Sequence, residues 1–223
     1  MLIRMATNKN LTRKRYDRIA FFYNLMDAPL EHLRFASWRP MIQDRIKGSK
    51  ALEVGVGTGK NLDYYPDDIE ITAVDLSPRM LKRAQKRAGL LGLDVRLLEM
   101  DAQCLAFPDN CFDTVFATFV FCSVPDPVQG LSELRRVCKP DGRLLLLEHV
   151  RPGNRLLGIL FDLINPLIVR MMGANINRKT IDNIKSAGWQ IQTTQNLSSD
   201  VVRLIEAGTG KTNHDLGIET EKK

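Results

Sequence analysis

Apolar residues in this chain fall into short continuous runs separated by longer segments in which they recur every three or four positions. The runs Ala51–Val54, Ile69–Val74, Val95–Leu98, Thr114–Ala117 and Arg143–Leu147 read as strands. The last is an unbroken apolar stretch of the kind a buried parallel strand requires. Helical spacing lies between them. Ser77-Pro78 opens one helix, with serine as cap and proline at the first position, and it runs to about Ala88. Pro127–Cys138 is the next, and Thr180–Ala187 is another, ended by Gly188. Strands alternating with helices predict an α/β sheet.

Two segments stand outside that alternation. Leu11–Met26 places Tyr16, Ile19, Tyr23 and Met26 on one face, with Arg13, Lys14, Arg15 and Arg18 supplying charge, while Phe21, Phe22 and Leu25 widen the apolar surface. Pro29 breaks it, and a second helix is expected over Leu30–Ile46, ended by Gly48. Leu156–Met172 is strongly apolar but interrupted by Asp162, Asn165, Pro166 and Arg170. It predicts a helix or a broken helix pair lining a pocket, and it is too interrupted to span a bilayer.

The first strand runs into Glu53-Val54-Gly55-Val56-Gly57-Thr58-Gly59. Glycines at alternate positions let the backbone bend sharply and a ligand lie against it. A helix is expected after the turn, before Pro66, offering its N–H groups. A dinucleotide fingerprint requires a third glycine where Lys60 stands, and a phosphate loop requires Ser or Thr after the lysine, where Asn61 stands. The carboxylate of Glu53 repels phosphate and suits a cationic ligand. Asp75 ends the second strand 16 residues beyond Gly59, where a carboxylate can accept both hydroxyls of a ribose. Thr118 and Phe119 follow the fourth strand at the sheet edge beyond which ligands bind. A nicotinamide oxidoreductase is disfavoured by Glu53 and the missing glycine.

Charge and composition narrow the partners. Of the 223 residues, positions 1–50 hold 11 Lys/Arg against 4 Asp/Glu, net +7, and the remainder 21 against 22, net −1. The positive charge therefore belongs to one end, which points to an anionic membrane surface met by residues 1–47 and away from nucleic acid. Cys104, Cys111, Cys122 and Cys138 form no C-x-x-C pair, and no long apolar leader precedes them. They read as reduced thiols in the cytoplasm, with the protein at the inner membrane face. His32, His149 and His214 are too scattered for a zinc site, and no metal is expected.

The motif Glu53-x-Gly55-x-Gly57-x-Gly59 resembles motif I of class I S-adenosylmethionine (SAM) methyltransferases, and Asp75-Leu76-Ser77-Pro78-x-Met80-Leu81 resembles motif II. Lys139-Pro140-Asp141-Gly142 resembles a turn of the same family. The resemblance covers roughly residues 48–207. It implies a Rossmann-like seven-stranded, mostly parallel sheet with helices on both faces and an N-terminal helical lid. Trp189–Thr194 and Asp200–Glu206 supply the closing antiparallel pair. Residues 1–47 form the basic lid, 48–208 the SAM domain with an apolar insert at 153–178, and 209–223 a polar tail.

The same resemblance implies SAM as cofactor and S-adenosylhomocysteine as product. Glu53, Gly55, Gly57, Gly59, Asp75, Leu76, Met80, Asp101, Ala102, Thr118 and Phe119 would surround the cofactor, with Asp101 taking the adenine amine. Tyr16 and Tyr23 would close over the cofactor or touch the acceptor. His149, at the end of the fifth strand, is either a general base or a hydrogen-bonded structural histidine. Arg178 would hold an acceptor's phosphate or carboxylate, or a surface carboxylate, with Asn175 beside it.

Three groups within the family share further motifs. Glu53–Gly59, Asp75-Leu76-Ser77 and Phe107-Pro108-Asp109 look like phosphatidylethanolamine N-methyltransferases. Asn61 with Tyr65-Pro66, Cys122-Ser123-Val124, Glu148-His149-Val150 and Gly173-x-Asn175-x-x-Arg178 are similar to membrane-associated thiol S-methyltransferases. Tyr23, Met26, Leu30 and Trp38 match the signature of ubiquinone/menaquinone C-methyltransferases, with departures at Asn24, Asp27, Glu31 and Phe35. Phospholipid N-methylation is the first expectation. Thiol S-methylation and quinone C-methylation are the alternatives, and a non-catalytic SAM-binding protein lies outside them.

Overall fold

The computed structural model describes residues 36–198 and 200–211. The helix expected over Leu11–Met26, the start of the second helix, Tyr16 and Tyr23 lie outside the described residues, as does the tail from residue 212.

Seven strands form one sheet in the order β3-β2-β1-β4-β5-β7-β6. They are β1 (Lys50–Val54), β2 (Glu70–Asp75), β3 (Arg96–Glu99), β4 (Phe112–Thr118), β5 (Cys138–His149), β6 (Gln190–Ser198) and β7 (Val202–Gly208). The first five are parallel, and β7 runs antiparallel between β5 and β6. The order reverses at β1, which pairs with both β2 and β4. Ligands of open α/β sheets bind at such a switch point, beyond the carboxyl ends of the strands.

The apolar runs sort by alternate residues onto two faces, because successive strand side chains point to opposite sides. Leu144 and Leu146 of β5 join Leu52, Val115, Ile205 and Trp189 on one face. Helices α3 (Pro127–Val137) and α5 (Thr180–Ser186) cover it through Leu131, Leu134 and Ile184. Leu145 and Leu147 join Phe116 and Leu204 on the other face, which α1 (Ala36–Gln43) covers with Ile42. Helix α2 (Pro78–Leu91) packs Ala84 on Ala73 of β2. Its serine cap is as expected: Ser77 Oγ accepts from Met80 N at 3.2 Å, and Gly92 ends the helix in the left-handed region.

Three elements differ from the sequence expectation. After Gly59 there is a single 3₁₀ turn, Leu62–Tyr64, and no longer helix. Tyr65 precedes Pro66 and is forced extended, at ψ 133°, so the turn cannot propagate. The segment Lys139–Gly142 is the bulged start of β5, where the register to β4 slips between Phe112 and Thr114. Gly142 permits it, since a Cβ there would lie 2.6 Å from Cys138 Sγ. In the tail expected from 209, Thr209 is buried and its hydroxyl donates to Pro140 O at 2.5 Å.

The insert is one 18-residue helix, α4 (Arg155–Met172), capped by Asn154, whose Oδ1 accepts from Leu156 N and Leu157 N at 3.0 and 3.1 Å. No helix of the described residues is long and apolar enough to cross a membrane.

Candidate functional site

The carboxyl ends of β1, β2, β3 and β4 border a cleft open to solvent on one side. The glycine loop forms its floor. Gly55 N and Val56 N donate to Val74 O at 2.8 and 3.1 Å, so the loop crosses over the end of β2. Gly57 N then donates to Asp75 Oδ2 at 2.9 Å, while Asp75 Oδ1 accepts from Ser77 N at 2.8 Å. Asp75 thus ties the glycine loop to the cap of α2. Each carboxylate oxygen has two acceptor positions, so this tether is compatible with gripping ribose hydroxyls.

Leu76, Met80, Met100, Asp101 and Ala102 continue the wall on the β2–β3 side. Asp101 is fixed by Gln103, whose N and Nε2 donate to Oδ1 at 2.9 and 3.0 Å. Across the cleft, Thr118 ends β4 and Phe119 follows in the left-handed region, with φ +57°. A non-glycine residue there is strained, a condition that clusters at ligand sites. The strain is held by two bonds: Val120 N and Phe121 N donate to Glu148 Oε1 at 2.7 and 2.8 Å.

Among the expected site residues, the cleft brings together Gly55, Gly57, Asp75, Leu76, Met80, Asp101, Ala102, Thr118 and Phe119. Others stand one layer back. Gly59 packs on Leu62 and Ala84. Glu53 is buried beneath the loop, accepting from the Tyr65 hydroxyl and from Asn61 Nδ2 at 2.7 Å. Asn61 in turn donates to Thr118 Oγ1 at 2.9 Å and accepts from Arg39 Nη1 at 2.7 Å. Glu53 therefore reaches the cleft through Asn61 and Thr118. His149 packs its ring on Phe119, 4.8 Å between centroids, and is not itself among the lining residues. Arg178 Nη2 donates to Val124 O at 2.8 Å, and Asn175 donates twice to Cys122 O. Both brace the segment that carries Ser123 and Val124, which line the cleft. Cys122 is buried and its thiol is pushed up to about 12 by burial, so it is no nucleophile.

Sequence reasoning assigned no role to Asn61, Arg39 or Glu148. For Glu148 a signal existed: a carboxylate directly after the apolar run Leu144–Leu147 faces the same sheet edge as Glu53. Burial pushes both carboxyls up to about 7. A raised carboxyl holds a proton in the folded chain that the unfolded chain has released. Its stabilisation is complete below about pH 4.5 and is lost as pH rises through about 7. Stability of the wild type is expected to fall between about pH 5 and 7, by on the order of 1–3 kcal/mol for each such group. Glu148→Gln keeps an oxygen for Val120 N and Phe121 N and removes the titration. Its Tm is expected to fall less over the same range in differential scanning fluorimetry, and a parallel decline in both proteins would contradict the assignment.

A methyltransferase-domain family model matches residues 52–146. The chain is 42% identical over 105 residues to phosphatidylethanolamine N-methyltransferase of Cereibacter sphaeroides, a match covering 46% of this chain and 52%, about half, of the relative. It is 32% identical over 168 residues to demethylmenaquinone methyltransferase of Thermus thermophilus, covering 73% of this chain and 76% of the relative. The chain belongs to the class I SAM-dependent methyltransferases. The fold of this methyltransferase is also that of geranyl diphosphate C-methyltransferase from Streptomyces coelicolor, with TM-score 0.67 and 14% identity over 78% of this chain and 79% of that one.

The cleft fits the family's cofactor on its own chemistry. It is lined by two carboxylates, Asp75 and Asp101, and no Lys, Arg or His is among the described lining residues. A dinucleotide's pyrophosphate would find neither a cation among these residues nor an α-helix opening at the glycine turn, whereas a sulfonium ligand with ribose and adenine needs acceptors and an apolar bed. Asp75 would hold the ribose, Asp101 the adenine edge, and Met80, Leu76 and Ala102 the adenine faces.

Proposed function

We propose that this methyltransferase acts on a lipid-like acceptor at a membrane surface, with phosphatidylethanolamine as the first candidate and a nitrogen as the methylated atom. The single observation that carries the methyl-transfer reading is the cleft that pairs carboxylates with glycine backbone, with no cation among its described lining residues. The acceptor reading is supported by the 42% identity to the phosphatidylethanolamine enzyme and by Phe107-Pro108-Asp109, which resembles a segment of that group. The family cofactor supplies an electrophilic methyl on a good leaving group. The chain's own part is then to align the acceptor with that methyl and to keep water out.

Phe119, Val120, Val124 and Pro125 give the cleft an apolar wall. That wall suits a lipid-like acceptor next to the methyl group. An amine needs only to lose its proton, to bulk water or to a base such as His149 behind Phe119. Carbon methylation demands a base in direct reach, and no imidazole is among the described lining residues. Quinone C-methylation nevertheless stands as a second reading, because the demethylmenaquinone relatives align over more of their length.

The test is incubation with methyl-labelled SAM and, separately, phosphatidylethanolamine vesicles, small thiols and demethylmenaquinone. Label in the phospholipid is the expected result. Label in a thiol or the quinone alone would replace the acceptor and keep the reaction. Transfer to none of them would leave a SAM-binding protein without this activity.

A further inference from the structure

Helix α4 carries an apolar face that no described part of the protein covers. Of the eight large apolar side chains exposed among the described residues, six lie on it: Leu156, Ile159, Leu160, Leu163, Ile164 and Leu167. Leu156 is 80% exposed, Leu163 73% and Leu167 59%. Their spacing of three and four residues places them on one continuous stripe. The opposite face is pinned to the protein. Asn165 Oδ1 accepts from Ile176 N at 3.0 Å, and a Cβ on Gly158 would lie 2.7 Å from Arg151 Nη1. The insert therefore does not line the cleft, as its apolar sequence predicted. It turns its leucines outward.

We propose that this stripe docks on an anionic lipid bilayer, lying in the plane of the interface. Three observations favour lipid over other occupants. First, the charge at its borders is positive: Arg155 and Arg170 are exposed at its two ends. Second, Asp162, the one acidic residue of the helix, is taken up on the protein side by Arg151 at 2.8 Å and Asn177 at 3.0 Å, so no carboxylate competes with lipid phosphates along the stripe. Third, 18 residues give about 27 Å of helix, enough to lie along a surface, and the helix is not apolar enough to cross.

The position of α4 gives the docking a consequence. Asn165 and Asn175 are joined at 3.4 Å, and Asn175 and Arg178 hold Cys122 and Val124 by their carbonyls. Val124 lines the cleft. The stripe is thus clamped, through one short connection, to the rim of the site. A bilayer seated on the stripe lies on the far side of the helix from that rim, about one helix diameter away. This inference rests on the membrane-surface part of the proposed function and not on which atom is methylated.

The test uses the full chain and vesicles of phosphatidylcholine mixed with phosphatidylglycerol. The double substitution Leu163→Gln, Leu167→Gln is expected to lower the vesicle partition coefficient at least roughly tenfold, since each leucine loses most of its transfer free energy. S-adenosylhomocysteine affinity is expected to stay within about twofold, because surface substitutions of this kind disturb the fold little. A separate Leu163→Trp variant is expected to show a blue-shifted emission change on adding vesicles, relative to the wild type. Equal partitioning of wild type and double variant, with no Leu163→Trp shift, overturns the inference and leaves a membrane-surface enzyme docked elsewhere. A wild type that binds no vesicles overturns both. A dimer in light scattering that the double variant dissolves, with vesicle binding unchanged, assigns the stripe to a second copy of the chain and also overturns it.

Discussion

Asp75→Ala is expected to raise the dissociation constant for S-adenosylhomocysteine by about 10–100-fold in isothermal titration. Two effects add. The carboxylate that ends β2 is lost as the acceptor for ribose hydroxyls, and hydrogen bonds to a charged group contribute about 1.5–3 kcal/mol each. Gly57 N and Ser77 N also lose their acceptor, at 2.9 and 2.8 Å, so the glycine loop and the cap of α2 come untied from one another. Asp75→Asn separates the two. One oxygen remains for Gly57 N while the charge and one acceptor are gone, and an affinity between those of wild type and alanine variant is expected. Near-normal affinity in Asp75→Ala would remove the ribose from this end of the cleft.

The part of the site that sequence makes legible is the part built by backbone. Gly55, Gly57, Asp75, Asp101 and Thr118 sit at strand ends, and strand ends follow from runs of apolar residues. Once β1, β2 and β4 are placed side by side at the switch point, those residues must converge. Side-chain relays are not legible in this way. Glu53 suggests direct contact with a cation, because it stands next to the glycines. In the structure the loop passes over it, and Asn61 and Tyr65 occupy both its oxygens. Pro66 limits the turn after Gly59, but nothing in the spacing says that the turn points Asn61 inward. His149 is a similar case. The end of β5 is predicted well, but Phe119 takes a left-handed conformation and its ring meets the imidazole.

Helix α4 marks the other limit. An apolar segment predicts burial, since leucine is favoured inside by about 1.5–3 kcal/mol. Which surface supplies the burial is not written in the segment. Asn165 and Gly158 decide it here, because they fix the polar and small side of the helix against the protein and leave the leucines facing out. The same residues that weaken the segment as a membrane span give it an orientation.

Gly55→Ala is expected to destabilise the chain by about 2–5 kcal/mol and to abolish cofactor binding at concentrations that saturate the wild type. Gly55 has φ +73°, a conformation that costs an alanine roughly 1–2 kcal/mol. Its new Cβ would lie 2.4 Å from Val120 Cγ2 and 2.7 Å from Cγ1, closer than carbon atoms approach. Val120 cannot yield freely. Its N–H is held by Glu148 at 2.7 Å, and its β-branched side chain has few rotamers. Val120 lines the cleft, so any shift that admits the methyl group displaces the cleft wall or lifts the loop off Val74. The overlap and the backbone strain are separable. Val120→Ala removes both Cγ atoms and leaves only Cβ, at 3.1 Å, so the double variant is expected to recover the overlap and keep the strain of about 1–2 kcal/mol. Urea unfolding of the two single variants and the double variant measures this directly. A double variant no more stable than Gly55→Ala would show that the close approach to Val120 contributes nothing, and that the glycine is needed for its dihedral angle alone.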